Sequence, residues 1–141
     1  MSYKYLNHGA DIGLEVKSAS LEELFQEAGK SLFSLMVDVE QIQPEETLEL
    51  QLSEVTLEDL LYEWLSELLS LSNLKGHLYG DFSKLIIEKT RSGYRLEAEV
   101  RGEKVNPEKH ELGTEVKAVT YQGLEINESE GDWRCRFVVD V

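Results

Sequence analysis

Carboxylates near the two ends of the chain are the residues best suited to chemistry. Asp11 closes the polar segment 7–11, which separates two apolar stretches with strand-like alternation. At the other end, an apolar strand finishes on Asp140, and the carboxylate of Val141 follows one residue later. If the fold brings Asp11 to this end, three negative groups share one site. Two such charges about 4 Å apart repel by about 4 kcal/mol at an effective dielectric constant near 20.

A cluster of this kind needs a proton or a cation, and hard oxygen ligands favour calcium or magnesium. The alternatives are structural. Asp11 is also a typical turn residue that satisfies its own backbone, and the last residues of a chain are often solvated and frayed. Spacing alone leaves both interpretations open.

Other catalytic templates are absent from the sequence. It contains no Gly-rich phosphate loop ending in Lys-Ser/Thr, no Gly-x-Ser-x-Gly elbow, no His-Glu-x-x-His motif and no EF-hand loop. Cys135 is the single cysteine, which excludes an internal disulfide and a thiolate metal cage. We expect it to be a small hydrophobic residue within a strand.

The net charge narrows the class of partner. Twenty-eight acidic residues face 14 basic ones, giving −14. Proteins that bind the phosphates of nucleic acids rely on Lys and Arg to displace counterions. Because acidic residues dominate here, direct sequence-specific binding of nucleic acid is not expected. A basic protein surface or a divalent cation is the better electrostatic match. The N-terminus has no apolar signal region and no apolar run approaches the roughly 18 residues of a membrane span, so we expect a cytoplasmic location without membrane contact.

The hydrophobic pattern predicts one domain over residues 1–141. One amphipathic helix begins after its cap Ser20 and runs to Met36, and a second begins after its cap Thr56 and stops near Gly76. Alternating segments predict strands, and Arg91-Ser92-Gly93 predicts a hairpin turn. The predicted strands are 3–7, 12–17, 46–54, 82–89, 94–101, 115–121, 124–127 and 133–139. With no βαβ alternation, this is an α+β fold of two layers, a mostly antiparallel sheet with two main amphipathic helices.

Motifs along essentially the whole chain resemble the archease family. Residues 7–14 are similar to that family's opening motif, and residues 20–36 and 60–69 are similar to its two helices. His110 followed by the segment 115–121 resembles its most specific internal motif. The chain closes on Asp-Val, where the family closes on Asp and an aliphatic residue.

The resemblance implies an archease-like fold and an accessory protein rather than an enzyme. Archeases stimulate the RtcB-type RNA ligase of tRNA splicing and RNA repair by promoting its guanylylation and multiple turnover. The family's divalent-metal site carries over onto Asp11, Asp140 and the terminal carboxylate of Val141. The motif residues that would contact the partner or support the site are His8, His110, Glu115 and Lys117. The chain departs from the family pattern at Asn7, Gly9 and Gln122, where an acidic residue, Thr and His are usual.

Two other functions are compatible with these residues. A chaperone-like module that shields aggregation-prone partners would need an exposed apolar patch. A small metal-dependent hydrolase would use His8 or His110 as its base, although no nucleophile–base arrangement is recognisable.

Overall fold

The computed structural model describes residues 2–8 as backbone and residues 11–141 in full. The turn predicted at Gly9 and Ala10 lies outside the described residues. The helices are α1 (Leu21–Ser34) and α2 (Leu57–Lys75), with a short 3-10 turn at Val39–Gln41 between them. The strands are β1 (Ser2–His8), β2 (Asp11–Ser18), β3 (Glu46–Glu54), β4 (His77–Lys89), β5 (Tyr94–Lys104), β6 (Ala118–Ser129) and β7 (Asp132–Asp140).

The strands form two antiparallel sheets that share one core. One sheet has the order β1-β2-β7-β6 and the other the order β3-β5-β4. Helix α1 packs mainly on β4 and β2, and α2 mainly on β6, β3 and β4, so each helix contacts both sheets. The α+β prediction is confirmed. The sequence predicted one sheet, whereas the strands form two. None of the described helices is long and apolar enough to cross a membrane.

Both predicted helix caps are present. The Ser20 hydroxyl accepts a hydrogen bond from the N–H of Glu23 at 3.2 Å, and the Thr56 hydroxyl accepts one from Asp59 at 3.1 Å. Gly76 ends α2 in the left-handed conformation, at φ 66°, which glycine adopts without steric cost.

Helix α1 is shorter than predicted, because Leu35 and Met36 lie beyond its last residue. Their carbonyl oxygens accept hydrogen bonds from the N–H groups of Thr114 and Gly113, at 2.9 and 2.8 Å. Pairing with this distant loop replaces another turn of helix.

The strand boundaries also differ from the predicted ones. Strand β4 begins at His77, five residues before the predicted start at residue 82, and β5 continues to Lys104. Residues 115–117 are not a strand, and the two predicted strands 115–121 and 124–127 are parts of the single strand β6. A register shift between Thr120 and Glu125 interrupts that strand.

Candidate cation site

The fold places Asp11 directly opposite Asp140. Strands β2 and β7 are adjacent and antiparallel, and these two residues are partners in their register. On either side, His8 of β1 is the partner of Asp11, and Ala118 of β6 is the partner of Asp140. Residues directly opposite in an antiparallel pair project from the same face, with Cβ atoms about 4.5–5.5 Å apart. The two aspartates therefore share one end of one face of the four-stranded sheet.

Among the described residues, neither aspartate has a counter-ion within ion-pair distance. Asp11 is half-buried and Asp140 is exposed, and within the described part of the chain neither side chain takes part in a hydrogen bond or an ion pair. Like charges directly opposite each other destabilise a sheet. A pair of uncommitted carboxylates in this position is suited to a cation.

The third predicted ligand is a main-chain group. Val141 follows Asp140 directly, is half-buried and packs its side chain against the core, which holds the end of the chain in place. Among the described residues, no three His, Cys, Asp or Glu side chains form a group able to hold a metal ion. The predicted side-chain ligands are two, and the terminal carboxylate is predicted as the third. This all-oxygen donor set fits calcium or magnesium, with water completing the coordination.

A cavity of about 290 Å³ adjoins Asp11. At about 30 Å³ for each water, this volume suits a hydrated ion. Strand β7 provides one wall with Arg136 and Val138, and the interrupted part of β6 provides another with Gln122 and Gly123. Arg136 and Gln122 have no hydrogen-bond or ion-pair partner in the described part of the chain. The cavity lining therefore combines the carboxylate of Asp11 with an amide and a guanidinium for which the described residues supply no partner.

The internal-motif residues flank the same end of the sheet. The backbone N–H of Lys117 donates to the carbonyl oxygen of Asp140 at 2.8 Å, and the buried side chain of Val116 anchors the segment. The side chains of Glu115 and Lys117 are exposed. They are available to a partner beside the aspartates.

His110 is held in the loop between β5 and β6. Its ring is 2% exposed, its Nδ1 accepts a hydrogen bond from the N–H of Asn106 at 2.9 Å, and its Nε2 lies 3.4 Å from an oxygen of Glu103. Burial tends to raise the pKa of Glu103, but hydrogen bonds from Lys109 and from the backbone N–H of Gln43 hold that pKa below its ordinary value.

Burial of its ring gives His110 a supporting role in the loop and leaves it poorly placed to act as a base on a substrate. The side chain of His8 lies outside the described residues.

Sequence patterns did not predict the cavity wall or its support. Tyr121 stacks on Tyr62, with ring centroids 3.9 Å apart, and its hydroxyl donates to Asp59 at 2.7 Å. The residue that could have indicated the irregular part of β6 is Gly123, because a glycine inside a strand pattern often marks a bulge. Here it has φ 70°, in the left-handed region.

Comparison with known proteins decides the family. Residues 3–141 match the model of the archease protein family. The chain belongs to the archease family. A Thermococcus kodakarensis archease is 43% identical over 140 residues, covering 99% of this chain and 98% of its relative. A Methanosarcina mazei archease is 37% identical over 139 residues, with coverage of 99% and 95%.

Solved archease-like structures share the fold. The solution structure of Methanobacterium thermoautotrophicum protein 1598 superposes with a TM-score of 0.88 at 30% identity, covering 99% of this chain and 98% of that one. A crystal structure of a Thermotoga maritima archease, described as a possible chaperone, gives a TM-score of 0.66 at 26% identity, with coverage of 98% and 96%.

Proposed function

We propose that the chain is an accessory protein that activates an RtcB-type RNA ligase in tRNA splicing and RNA repair in the cytoplasm. It would promote guanylylation of the ligase and allow repeated turnover, without catalysing a reaction itself. Family membership supports the accessory role. The observation that carries the mechanism is the in-register placement of Asp11 opposite Asp140.

Asp11, Asp140 and the terminal carboxylate of Val141 would hold the divalent cation. With so few protein ligands, other positions stay open to water or to groups of a partner, as is usual for magnesium at phosphate sites. The bound ion would supply positive charge beside the phosphates of the ligase's nucleotide. The net charge of −14 favours docking on a basic protein surface and disfavours binding to RNA itself.

Lys117 and Glu115 would contact the ligase. Their side chains are exposed while the backbone of Lys117 is bonded to Asp140, so a partner that reaches the aspartates also meets these two residues. Their opposite charges would fix the orientation of docking more than its strength.

Single-turnover guanylylation of the ligase from the same organism tests the proposal. Wild type and a matched control, Glu49→Ala on the other sheet, should accelerate ligase–nucleotide formation equally. Asp11→Ala and Asp140→Ala should each lose most of the acceleration, because either change removes one of two ligand side chains. Full stimulation by both aspartate variants would reject the role of the site.

A chaperone-like role is the second candidate, favoured by one hollow with apolar residues in its lining. Met36, Leu78, Val105 and Leu112 contribute to a hollow of about 370 Å³ on the molecule, and Val105 and Leu112 are exposed. Suppression of aggregation of an unrelated client protein, unchanged by Asp11→Ala and lost on Leu112→Asp, would support this function over ligase activation.

A further inference from the structure

Tyr121 is the most exposed aromatic side chain in the described part of the chain, with 54% of its surface open to solvent. It opens the interrupted part of β6, where residues 121–124 face the single residue Phe137 of β7. Bulges next to functional sites commonly re-aim a side chain. A single exposed ring is ordinary on a protein surface, so its surroundings decide whether it has a role.

The ring of Tyr121 is held firmly in this exposed position. It stacks on Tyr62 of α2, with ring centroids 3.9 Å apart and planes inclined by 19°, and its hydroxyl donates to Asp59 at 2.7 Å. Because Tyr62 covers one face of the ring, the opposite face is the part left open. A ring already fixed in one orientation loses little conformational entropy when a partner docks on it.

Carboxylates without a counter-ion surround this ring. The pKa of Tyr121 is raised to about 12, first by the bond to Asp59, then by burial and by nearby negative charge that includes Glu54. Glu54 is in turn hydrogen-bonded to Glu63 of α2. Among the described residues, no Lys, Arg or His lies within ion-pair distance of these three acidic side chains. By contrast, every glutamate of β5 is paired with a Lys or Arg.

These residues form one surface, which we call the Tyr121 patch: Tyr62, Tyr121, Glu54, Asp59 and Glu63. A guanidinium group matches both of its parts, because it is planar, stacks on aromatic faces and forms paired hydrogen bonds with a carboxylate. The ammonium group of Lys is a compact and strongly hydrated charge that stacks less well. Tyr and Arg are also enriched among the residues that dominate binding at protein interfaces. The patch is therefore suited to an arginine side chain.

The Tyr121 patch borders the end of the sheet that carries the two aspartates. Tyr121 follows Ala118, the register partner of Asp140, by three residues, which is about 10 Å along a strand. Its neighbour Gln122 lines the cavity that Asp11 also lines. A standard protein interface buries about 800 Å² on each partner, so a protein that covers the aspartates would also reach the patch.

We propose that the Tyr121 patch binds an arginine side chain on a basic surface of the ligase, with the guanidinium stacked on the open face of Tyr121 and bonded to Glu54 or Glu63. The inference rests on the proposed function for the identity of the partner, whereas the preference for arginine follows from the patch itself. This contact is separate from the cation site and would orient the aspartates toward the ligase.

Calorimetric titration with the ligase from the same organism, at pH 8 where Glu63 is mostly ionised, tests the contact. Tyr121→Ala should weaken binding by at least about tenfold, as the loss of an aromatic anchor does. Glu63→Gln should weaken it by about threefold to fivefold, the contribution of an exposed ion pair. Glu63→Gln removes a repulsion at this pH and keeps the fold, so its weaker binding would not come from unfolding. Glu49→Gln removes the same charge from the other sheet and should leave the affinity unchanged.

A second measurement uses arginine itself as the probe. In spectra of the isolated full-length protein, the ring resonances of Tyr121 should shift on titration with the peptide acetyl-Gly-Arg-Gly-amide and shift less with its lysine counterpart. The ring of Tyr94, on the other sheet, should not respond. Wild-type ligase affinity in both Tyr121→Ala and Glu63→Gln, or equal shifts with the two peptides, would overturn the inference. Shifts that depend on protein concentration without peptide would identify a second copy of this chain as the occupant and overturn it as well.

Failure of this inference differs measurably from failure of the proposed function. If the two patch variants bind the ligase and promote its guanylylation like wild type while Asp11→Ala does not, only the arginine contact is refuted. If the wild-type protein does not accelerate guanylylation, the proposed function fails, and the peptide titration still decides whether the patch binds arginine.

Discussion

Replacing Asp140 by Asn should have opposite effects on stability with and without a divalent ion. Asp140 faces Asp11 in register, so the substitution removes a like-charge pair. For carboxylates about 5 Å apart the repulsion is about 0.8 kcal/mol in water and about 3 kcal/mol at an effective dielectric constant of 20. Because Asp140 is exposed, the lower part of this range applies, about 1 kcal/mol.

In a chelator, Asp140→Asn should therefore raise the melting temperature by about 2–4 °C for a domain of this size. Calcium should reverse the order. An ion that binds only the folded state adds about 2.7 kcal/mol of stability at a concentration 100 times its dissociation constant. The wild type should gain this stabilisation and the variant should lose most of it.

Thermal melts followed by circular dichroism, in EDTA and in saturating calcium, measure both effects. Added salt should shrink the difference in EDTA, because it screens exposed charges. Glu49→Gln is a matched control. Glu49 faces Glu99 in the other sheet, but Glu99 is already paired with Lys84 and Arg101 at 3.0 and 3.3 Å, so no reversal is expected. If Asp140→Asn were less stable than wild type in EDTA and equally stabilised by calcium, the claim that Asp11 and Asp140 repel each other and jointly bind the ion would be refuted.

Three further predictions concern groups outside the cation site. The pKa of Glu63 is raised from 4.5 to about 7, mainly by a hydrogen bond to Glu54 and to a lesser extent by burial and nearby negative charge. Protonated Glu63 therefore stabilises the fold below pH 4.5, and this contribution is lost as the pH rises through 7. Glu63→Gln should accordingly be more stable than wild type at pH 8 and not at pH 4, as urea titrations at both values can show. Burial, the main cause, raises the pKa of Cys135 to about 12, so a thiol reagent at pH 7.5 should label it only after unfolding; prompt labelling of the native protein would contradict its buried position. His110→Ala should cost about 1–3 kcal/mol, because it removes a buried ring and leaves the loop N–H of Asn106 without its acceptor. An unchanged urea midpoint would show that the loop does not depend on this ring.

Local patterns predicted most of the elements. Both helices are specified locally, by the hydroxyl caps Ser20 and Thr56 and by the apolar stripe that follows each cap. Capping and periodicity act within a few residues, so the sequence alone reveals them. The alternation of Ile12, Leu14 and Val16 specifies β2 in the same way. Asp11 and Asp140 were candidates from residue type and position, but their pairing depends on β2 and β7 being neighbours, which is a tertiary property.

Glycines account for part of what the sequence could not show. Gly80 lies within β4, ahead of the predicted strand start at residue 82, and an added Cβ there would come within 2.8 Å of Ile42 and 3.0 Å of the carbonyl oxygen of Val39. Gly123 serves a bulge instead. A glycine that allows close packing and one that allows a bulge are indistinguishable until the neighbouring strands are known.

The most direct test of the cation site is paramagnetic broadening by manganese, which substitutes for calcium and magnesium at oxygen-rich sites. In ¹H–¹⁵N spectra, substoichiometric Mn²⁺ should first broaden the amides of residues 11–12, 117–118 and 139–141, followed by those of the bulge. Asp11→Asn should abolish this pattern. Broadening that instead begins on the acidic side of α2 at Glu58, Glu63 and Glu67, or that spreads evenly over the surface, would show that the ion is attracted only by net charge and that the paired aspartates do not bind it.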